Sequence, residues 1–451
     1  MKKVIIFLLS LAVIFSCVAP IGASAVYNSS VKTETEIFYI ESLDTGTVLF
    51  EKNSEKQTSP ASLTKIVTAA LTLKHCEELD TVITVPEHCI RALDGTGSSL
   101  AGIKVGEEIT VRSLLYCLMV SSANEAAMIL ADYIGEGSIV KFVEMMNGLA
   151  KEVGCENTHF ANPHGLDEEG HYSCAKDMAK LAKYAMSFPV FNEISSTKEY
   201  TLPATNMNPE RKIRTTNFLM LSGYREYYLE EAKGIKTGST TKAGKCVITT
   251  ATKNGYSYLA VAMKAPFYDY DKDGYDENFA FMDTKAMLEW TFDNIKLKTV
   301  TDPSQIITVA KVNYAWGIDH VRLVPKEECF ALVPVGVDAG SVLVEPVKDS
   351  LPESVDAPLK KGDEVCEAVV TYAGEEIARV KLVAAEDIDR SIILFVTGKL
   401  GDLAKTTGFK IFAVILAVVI VFLIVANIYV NKNRRRRRIR VVNYRDINTR
   451  R

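Results

Sequence analysis

Six serines in the 451-residue chain stand three residues before a lysine: Ser29, Ser62, Ser138, Ser173, Ser195 and Ser239. A serine becomes a nucleophile when a base takes its proton, and lysine is such a base only when burial or a nearby cation brings its pKa towards neutrality. Spacing alone selects none of the six. Local context selects Ser62-Leu63-Thr64-Lys65. Ser59 and Pro60 read as an N-cap and a first helical residue, so a helix is expected to start there. Ile66, Ala69, Ala70 and Leu73 mark its buried face. Ser62 then falls in the first turn, where backbone N–H groups lack intrahelical partners and the dipole end is positive. Such a place suits a developing acyl oxyanion, and Lys65 lies one turn on along the same face.

Two further motifs occur once each. Ser122-Ala123-Asn124 interrupts two helical stretches and can project its side chains from a loop into a cleft. Lys236-Thr237-Gly238 precedes a β-branched run, and Gly238 would allow a substrate backbone to approach closely. Taken singly, the first reads better as a helix-breaking turn and the second as a plain turn. Their order, S-x-x-K then S-x-N then K-T-G, resembles the penicillin-binding-protein and serine β-lactamase superfamily. The residues around Ser62, Gly97-Ser98-Ser99, Glu125 after Asn124, Asn162-Pro163-His164-Gly165-Leu166 and Gly234 to Thr240 are similar to the low-molecular-weight D-alanyl-D-alanine carboxypeptidases, from about residue 35 to 385.

That resemblance implies an acyl-enzyme on Ser62, formed on the penultimate D-Ala of a peptidoglycan stem peptide, with Lys65 as base. It implies that Ser122 and Asn124 relay the proton and hold the substrate amide, and that Lys236 supplies positive charge. It also implies that Thr237 binds the terminal carboxylate, beside Gly238, and that the N–H groups of Ser62 and Ser239 form the oxyanion hole. β-Lactams are the implied covalent inhibitors; no cofactor and no metal is expected. The alternatives are a serine β-lactamase, for which no Glu-x-x-x-Asn deacylating motif is suitably placed, and a non-hydrolytic penicillin-binding sensor.

Two departures stand out. No arginine occurs between Arg225 and Arg322, so carboxylate binding has to rest on Thr237 and a lysine. Asp269, Asp271, Asp273 and Gly274 imitate the start of a calcium loop, but position twelve is Ala280, and an acidic surface loop is the reading adopted. His164 is read as loop packing, and the six histidines show no ligand-like clustering. The cysteines likewise lack C-x-x-C spacing and are read as mostly free thiols.

The elements that must position these groups suggest an α+β chain: a β-lactamase/transpeptidase-like catalytic domain, a small all-β domain, and a C-terminal transmembrane helix. Residues 1–25 run basic, apolar, then small, as a secretory signal does. Residues 26–296 combine an entering hairpin, helical stretches near 60–75, 111–134, 138–153 and 175–187, and a β region from Lys233. Residues 297–390 alternate in short runs, as a β-sandwich or barrel would, and 391–408 read as a linker. Residues 409–430 are apolar and long enough for a hydrocarbon core of ~30 Å. The tail, 431–451, carries ten basic residues against Asp446, which places it in the cytoplasm and the remainder outside. With +9 on the tail and +2 on the leader, the total of −4 leaves −15 on the exported part. That charge argues against a nucleic-acid partner.

Overall fold

In the computed structural model the described residues are 27, 29–272, 274–337 and 341–445. The leader read at 1–25 lies outside them. Two compact units are present. One is built on residues up to Lys298 together with 330–342 and 371–378; the other takes 299–329, 343–370 and the chain from 379 onward.

The first unit is organised by an antiparallel sheet of β1 (Ile37–Ser42), β2 (Val48–Lys52), β3 (Ala232–Thr240), β4 (Gly244–Lys253) and β5 (Tyr256–Ala265), in the order β2-β1-β5-β4-β3. Its inner strands read as nearly continuous apolar runs because both faces are covered. Ile37, Tyr39, Cys246, Ile248, Leu259, Val261 and Met263 face a helical layer. Phe38, Ile40, Val247, Tyr258, Ala260 and Ala262 face the opposite layer, with Met287 and Leu288 of a long helix, Phe279–Asn294. The period of two along each strand thus feeds two separate cores.

The helical layer comprises α1 (Lys65–His75), α2 (Glu87–Arg91), α3 (Val111–Met119), α4 (Asn124–Ile134), α5 (Ile139–Glu152), α6 (Ala175–Met186) and α7 (Pro189–Ser195). α1 is buried on every side from Lys65 to Thr72. A helix enclosed all round is a core helix, and here it delivers one lysine to the interior. The eight cysteines from Cys76 to Cys366 are free thiols, most of them buried.

The second unit holds most of a six-stranded sheet, in which Thr308–Asn313, His320–Pro325, Leu343–Pro346, Val355–Asp356, Glu364–Tyr372 and Glu375–Ala384 take part. Ala310, Val312, Val321, Leu323, Ala368, Val370 and Leu382 bury one face, as the alternation predicts. Among the strands that the sequence reading did not name, Ile295–Thr301 and Cys329–Pro334 pair with one another. The segment read as a linker is helical over Ile392–Lys405, because Ser391 caps it by accepting from the Leu394 N–H. A last helix, Thr407–Arg445, follows. Its stretch from Thr407 to Arg434 has a mean hydropathy of 3.3 in its most apolar window, and none of that window is buried.

Candidate active site

An open cleft of about 700 Å³ is lined by Ser62, by Thr96 to Ser99, by Ser122 and Asn124, by Thr216, and by Thr237 to Thr241. All three motifs therefore meet in one place, each carried by a different element.

Ser62 sits in a 3-10 turn, Ala61–Thr64, that runs directly into α1. The expected cap does not form. Pro60 occupies the cap position, and the Ser59 hydroxyl instead donates to Asp167 Oδ1 at 2.7 Å, a charged acceptor that outcompetes a neutral backbone group. The same carboxylate accepts from Thr240 Oγ1 at 2.7 Å and from the Lys242 N–H at 3.2 Å. Asp167 thus ties the Ser62 turn to the end of β3. Burial draws its carboxyl upward, but these hydrogen bonds outweigh burial and hold it below the ordinary value.

Lys65 is wholly buried. Its Nζ lies 2.8 Å from Ser62 Oγ, 2.6 Å from Asn124 Oδ1 and 2.7 Å from the His164 carbonyl. Burial forces its pKa well below that of a free lysine; the Lys236 cation adds to the effect, and Glu125 opposes it. Lys236 is also enclosed, with burial bringing it down to about 7, and its ammonium donates to Thr237 O at 2.9 Å. Two lysines in one dry site cannot both be comfortably charged.

Ser122 adopts φ +62, a left-handed conformation unusual for a residue with a side chain. Its neighbours hold it there: Ser121 Oγ and the Ala123 N–H both donate to Cys117 O, and the Asn124 N–H donates to Ser99 O. Asn124 starts α4, so its side chain leaves the helix at the cleft. Glu125, next in the helix, accepts from the N–H groups of Ala101 and Ile103 and anchors the loop that includes Gly97 to Ser99.

Gly238 lines the cleft and also makes room for the Ser62 turn. A Cβ there would stand 3.0 Å from the Ala61 Cβ and 3.1 Å from the Ser62 nitrogen. The glycine lets β3 cross the Ser62 turn, and Ser239, next in the strand, lines the same cleft. Upstream, the register of β3 against β4 shifts between Lys233 and Lys236, and the Gly234 carbonyl of that bulge accepts from Asn217 Nδ2 at 2.8 Å and from Thr249 Oγ1.

His164 contributes a carbonyl rather than a ring. Its imidazole is brought to about 3 by burial and by Lys65, so it is neutral, and Nδ1 accepts from the Leu166 N–H. The loop is held by Asn162 Oδ1, which accepts from the Gly165 N–H at 2.7 Å, and by Pro163 O, which accepts from Thr68 Oγ1 at 2.6 Å. Thr216 is a further member that no motif marked: its hydroxyl is 2.5 Å from that of Thr237. Around the acidic loop, Asp269, Asp271 and Glu277 gather their carboxylates, with Asp269 accepting from the Gly274 N–H and Glu277 from the Tyr270 N–H.

A family model described as D-alanyl-D-alanine carboxypeptidase matches residues 24–266, more than half of the chain. The chain belongs to the D-alanyl-D-alanine carboxypeptidase family. The model for the C-terminal domain of penicillin-binding protein 5 matches residues 296–390. Among curated relatives, the Bacillus subtilis carboxypeptidase DacF is 32% identical over 368 residues, 80% of this chain and 88% of that protein. The Escherichia coli carboxypeptidase DacC is 29% identical, covering 76% and 82% of the two chains. Among solved structures, penicillin binding protein 5 from Haemophilus influenzae superposes with a TM-score of 0.62 at 26% identity, over 81% of this chain and all of that one. A Streptomyces D,D-transpeptidase superposes with a TM-score of 0.52 at 28% identity, over 59% of this chain and 99% of its own.

Proposed function

We propose that this carboxypeptidase removes the terminal D-alanine of peptidoglycan stem peptides through an acyl-enzyme on Ser62. The observation that carries the reading is the environment of Lys65. Two of its three partners, Asn124 Oδ1 and His164 O, can only accept, while the third, Ser62 Oγ, can also donate. A neutral amine satisfies this set: it gives its two protons to the carbonyls and turns its lone pair to the serine hydroxyl. The lowered pKa supports that protonation state.

In the first step the Ser62 proton passes to Lys65 as Oγ attacks the carbonyl carbon of the penultimate D-Ala. The oxyanion is stabilised by the N–H groups of Ser62 and Ser239. The proton then moves from Lys65, through the Ser122 hydroxyl, to the departing nitrogen. The C–N bond breaks, free D-alanine leaves, and an ester remains on Ser62. Water, deprotonated by the same amine, hydrolyses it. The Thr237 hydroxyl, oriented by Thr216 and backed by the Lys236 charge, receives the terminal carboxylate. Asn124 keeps its amide Nδ2 for the substrate backbone while its oxygen holds Lys65. A β-lactam enters the same route and stalls at the ester, since its leaving group stays tethered.

The helix Thr407–Arg445 is read as the membrane anchor. An apolar stretch exposed along its whole length is costly in water and favourable in lipid. The arginines from Arg434 to Arg438 support a cytoplasmic C-terminus with the catalytic unit on the other side.

The test is to incubate the detergent-solubilised chain with fluorescent penicillin and with a peptide ending in D-Ala-D-Ala. Stable labelling together with D-alanine release supports the reading. Labelling without release favours a sensor, and rapid penicillin turnover favours a β-lactamase.

A further inference from the structure

His88 and Cys89 are neighbours on the one-turn helix α2, and Asp132 lies on α4 beyond Asn124. Adjacent residues of a helix ordinarily point apart. Here His88 Nε2 is 3.5 Å from Cys89 Sγ and 2.8 Å from Asp132 Oδ1, and the three donor atoms lie within 4.8 Å of one another. The same ring nitrogen faces both partners. That excludes a proton relay of the Cys-His-Asp kind, in which the two ring nitrogens serve different groups.

One imidazole nitrogen, one sulfur and one carboxylate oxygen around a common point are the donors of a borderline-soft divalent metal. Tetrahedral bonds of ~2.3 Å to sulfur and ~2.0–2.1 Å to nitrogen and oxygen place sulfur about 3.5 Å from nitrogen, and nitrogen about 3.3 Å from oxygen. The first separation is already present. The second needs an opening of about 0.5 Å by those bond lengths, which the His88 side chain, 59% exposed, is free to make.

We propose that His88, Cys89 and Asp132 form a binding site for one zinc-class divalent cation, with the fourth position open to water on the His88 side. Cys89 would bind as the thiolate, giving up its proton to solvent as the sulfur–metal bond forms. The ion would join α2 to α4. The chain leaving α2 runs on to Thr96–Ser99, which lines the cleft, and α4 begins at Asn124. The metal would therefore stiffen one wall of the active site without touching substrate. Sequence spacing gave no sign of this trio, because two ligands are consecutive and the third is distant.

The experiment titrates the full, tag-free, metal-stripped chain in detergent with Co(II). The expected result is one ion per chain, a thiolate-to-cobalt charge-transfer band, the visible bands of a tetrahedral site, displacement by Zn(II), and release of about one proton per ion near neutral pH. His88→Ala is expected to weaken binding by more than about tenfold, Asp132→Asn to weaken it likewise, and Cys89→Ser to abolish the charge-transfer band. Retained penicillin labelling certifies that each variant is folded. Should Cys89→Ser fail to fold, His88→Ala, at an exposed side chain, carries the test. Absence of Co(II) binding, a charge-transfer band that survives in Cys89→Ser, or binding to His88→Ala as tight as to the unaltered chain overturns the proposal.

Discussion

Lys65 Nζ stands 2.8 Å from Ser62 Oγ while its other contacts are two carbonyl oxygens, so the hydroxyl is the one partner able to give it a proton. Replacing Lys65 with methionine keeps a similar volume in a fully buried position but removes the base. Acylation by penicillin is expected to slow by about 10²–10⁴-fold, the range typical of losing a positioned general base. Stopped-flow labelling of Lys65→Met measures this. A rate within a few-fold of wild type would exclude Lys65 as the base.

The two buried lysines predict a bell-shaped pH profile with assignable limbs. Lys65 must be neutral to act, so acylation rises with pH through its depressed pKa. Lys236 must be charged to attract a carboxylate, and in the free enzyme it loses its proton through about 7, so kcat/KM falls as pH rises beyond that. Lys236→Arg keeps its charge at any accessible pH. Whatever its absolute rate, this variant is expected to lose the alkaline limb up to at least pH 9 or so. An alkaline limb left in place would assign it to another group.

Thr237 and Thr216 share a short hydroxyl contact at the mouth of the cleft, where no arginine is available in the sequence between Arg225 and Arg322. Thr237→Val is expected to reduce the preference for a free C-terminal carboxylate over its methyl ester by about tenfold or more, since a hydrogen bond to a charged group contributes ~1.5–3 kcal/mol. Thr216→Val should follow with a smaller effect. Steady-state comparison of the two peptides measures both, and an unchanged ratio in Thr237→Val would move the carboxylate elsewhere.

Asp167 accepts from Ser59, Thr240 and Lys242 together, and so fixes the distance between the Ser62 turn and β3. Asp167→Ala is expected to lower stability by about 1.5–3 kcal/mol and to slow acylation while leaving the pH optimum in place. Urea unfolding and labelling kinetics report the two effects. A stability loss with normal acylation would make Asp167 a fold residue only.

What the sequence disclosed and what it concealed divide along physical lines. The roles proposed for Ser62, Lys65, Ser122, Asn124 and Lys236 to Gly238 rest on side chains or glycine at fixed spacing, and a motif preserves both. His164 acts through its carbonyl, which carries no residue identity, so only the three-dimensional path of the loop reveals it. Thr216 and Asp167 act by contact with residues already chosen, at separations of 21 and 73 or more positions from Thr237 and Thr240. The core strands were legible because both faces of the sheet are apolar. The pair Ile295–Thr301 and Cys329–Pro334 was not, since charged residues break the first and the second reads as a short isolated run. The helix Ile392–Lys405 was hidden by Gly398 and Gly401, which lower helix propensity without preventing it.

The most direct test of the account is to locate the acyl group. The wild-type chain is incubated with penicillin, denatured, digested and analysed by mass spectrometry, beside Ser62→Ala. One penicilloyl adduct per chain is expected, on the peptide containing Ser62, and none in the variant. An adduct on any other serine, or one that persists in Ser62→Ala, would contradict it.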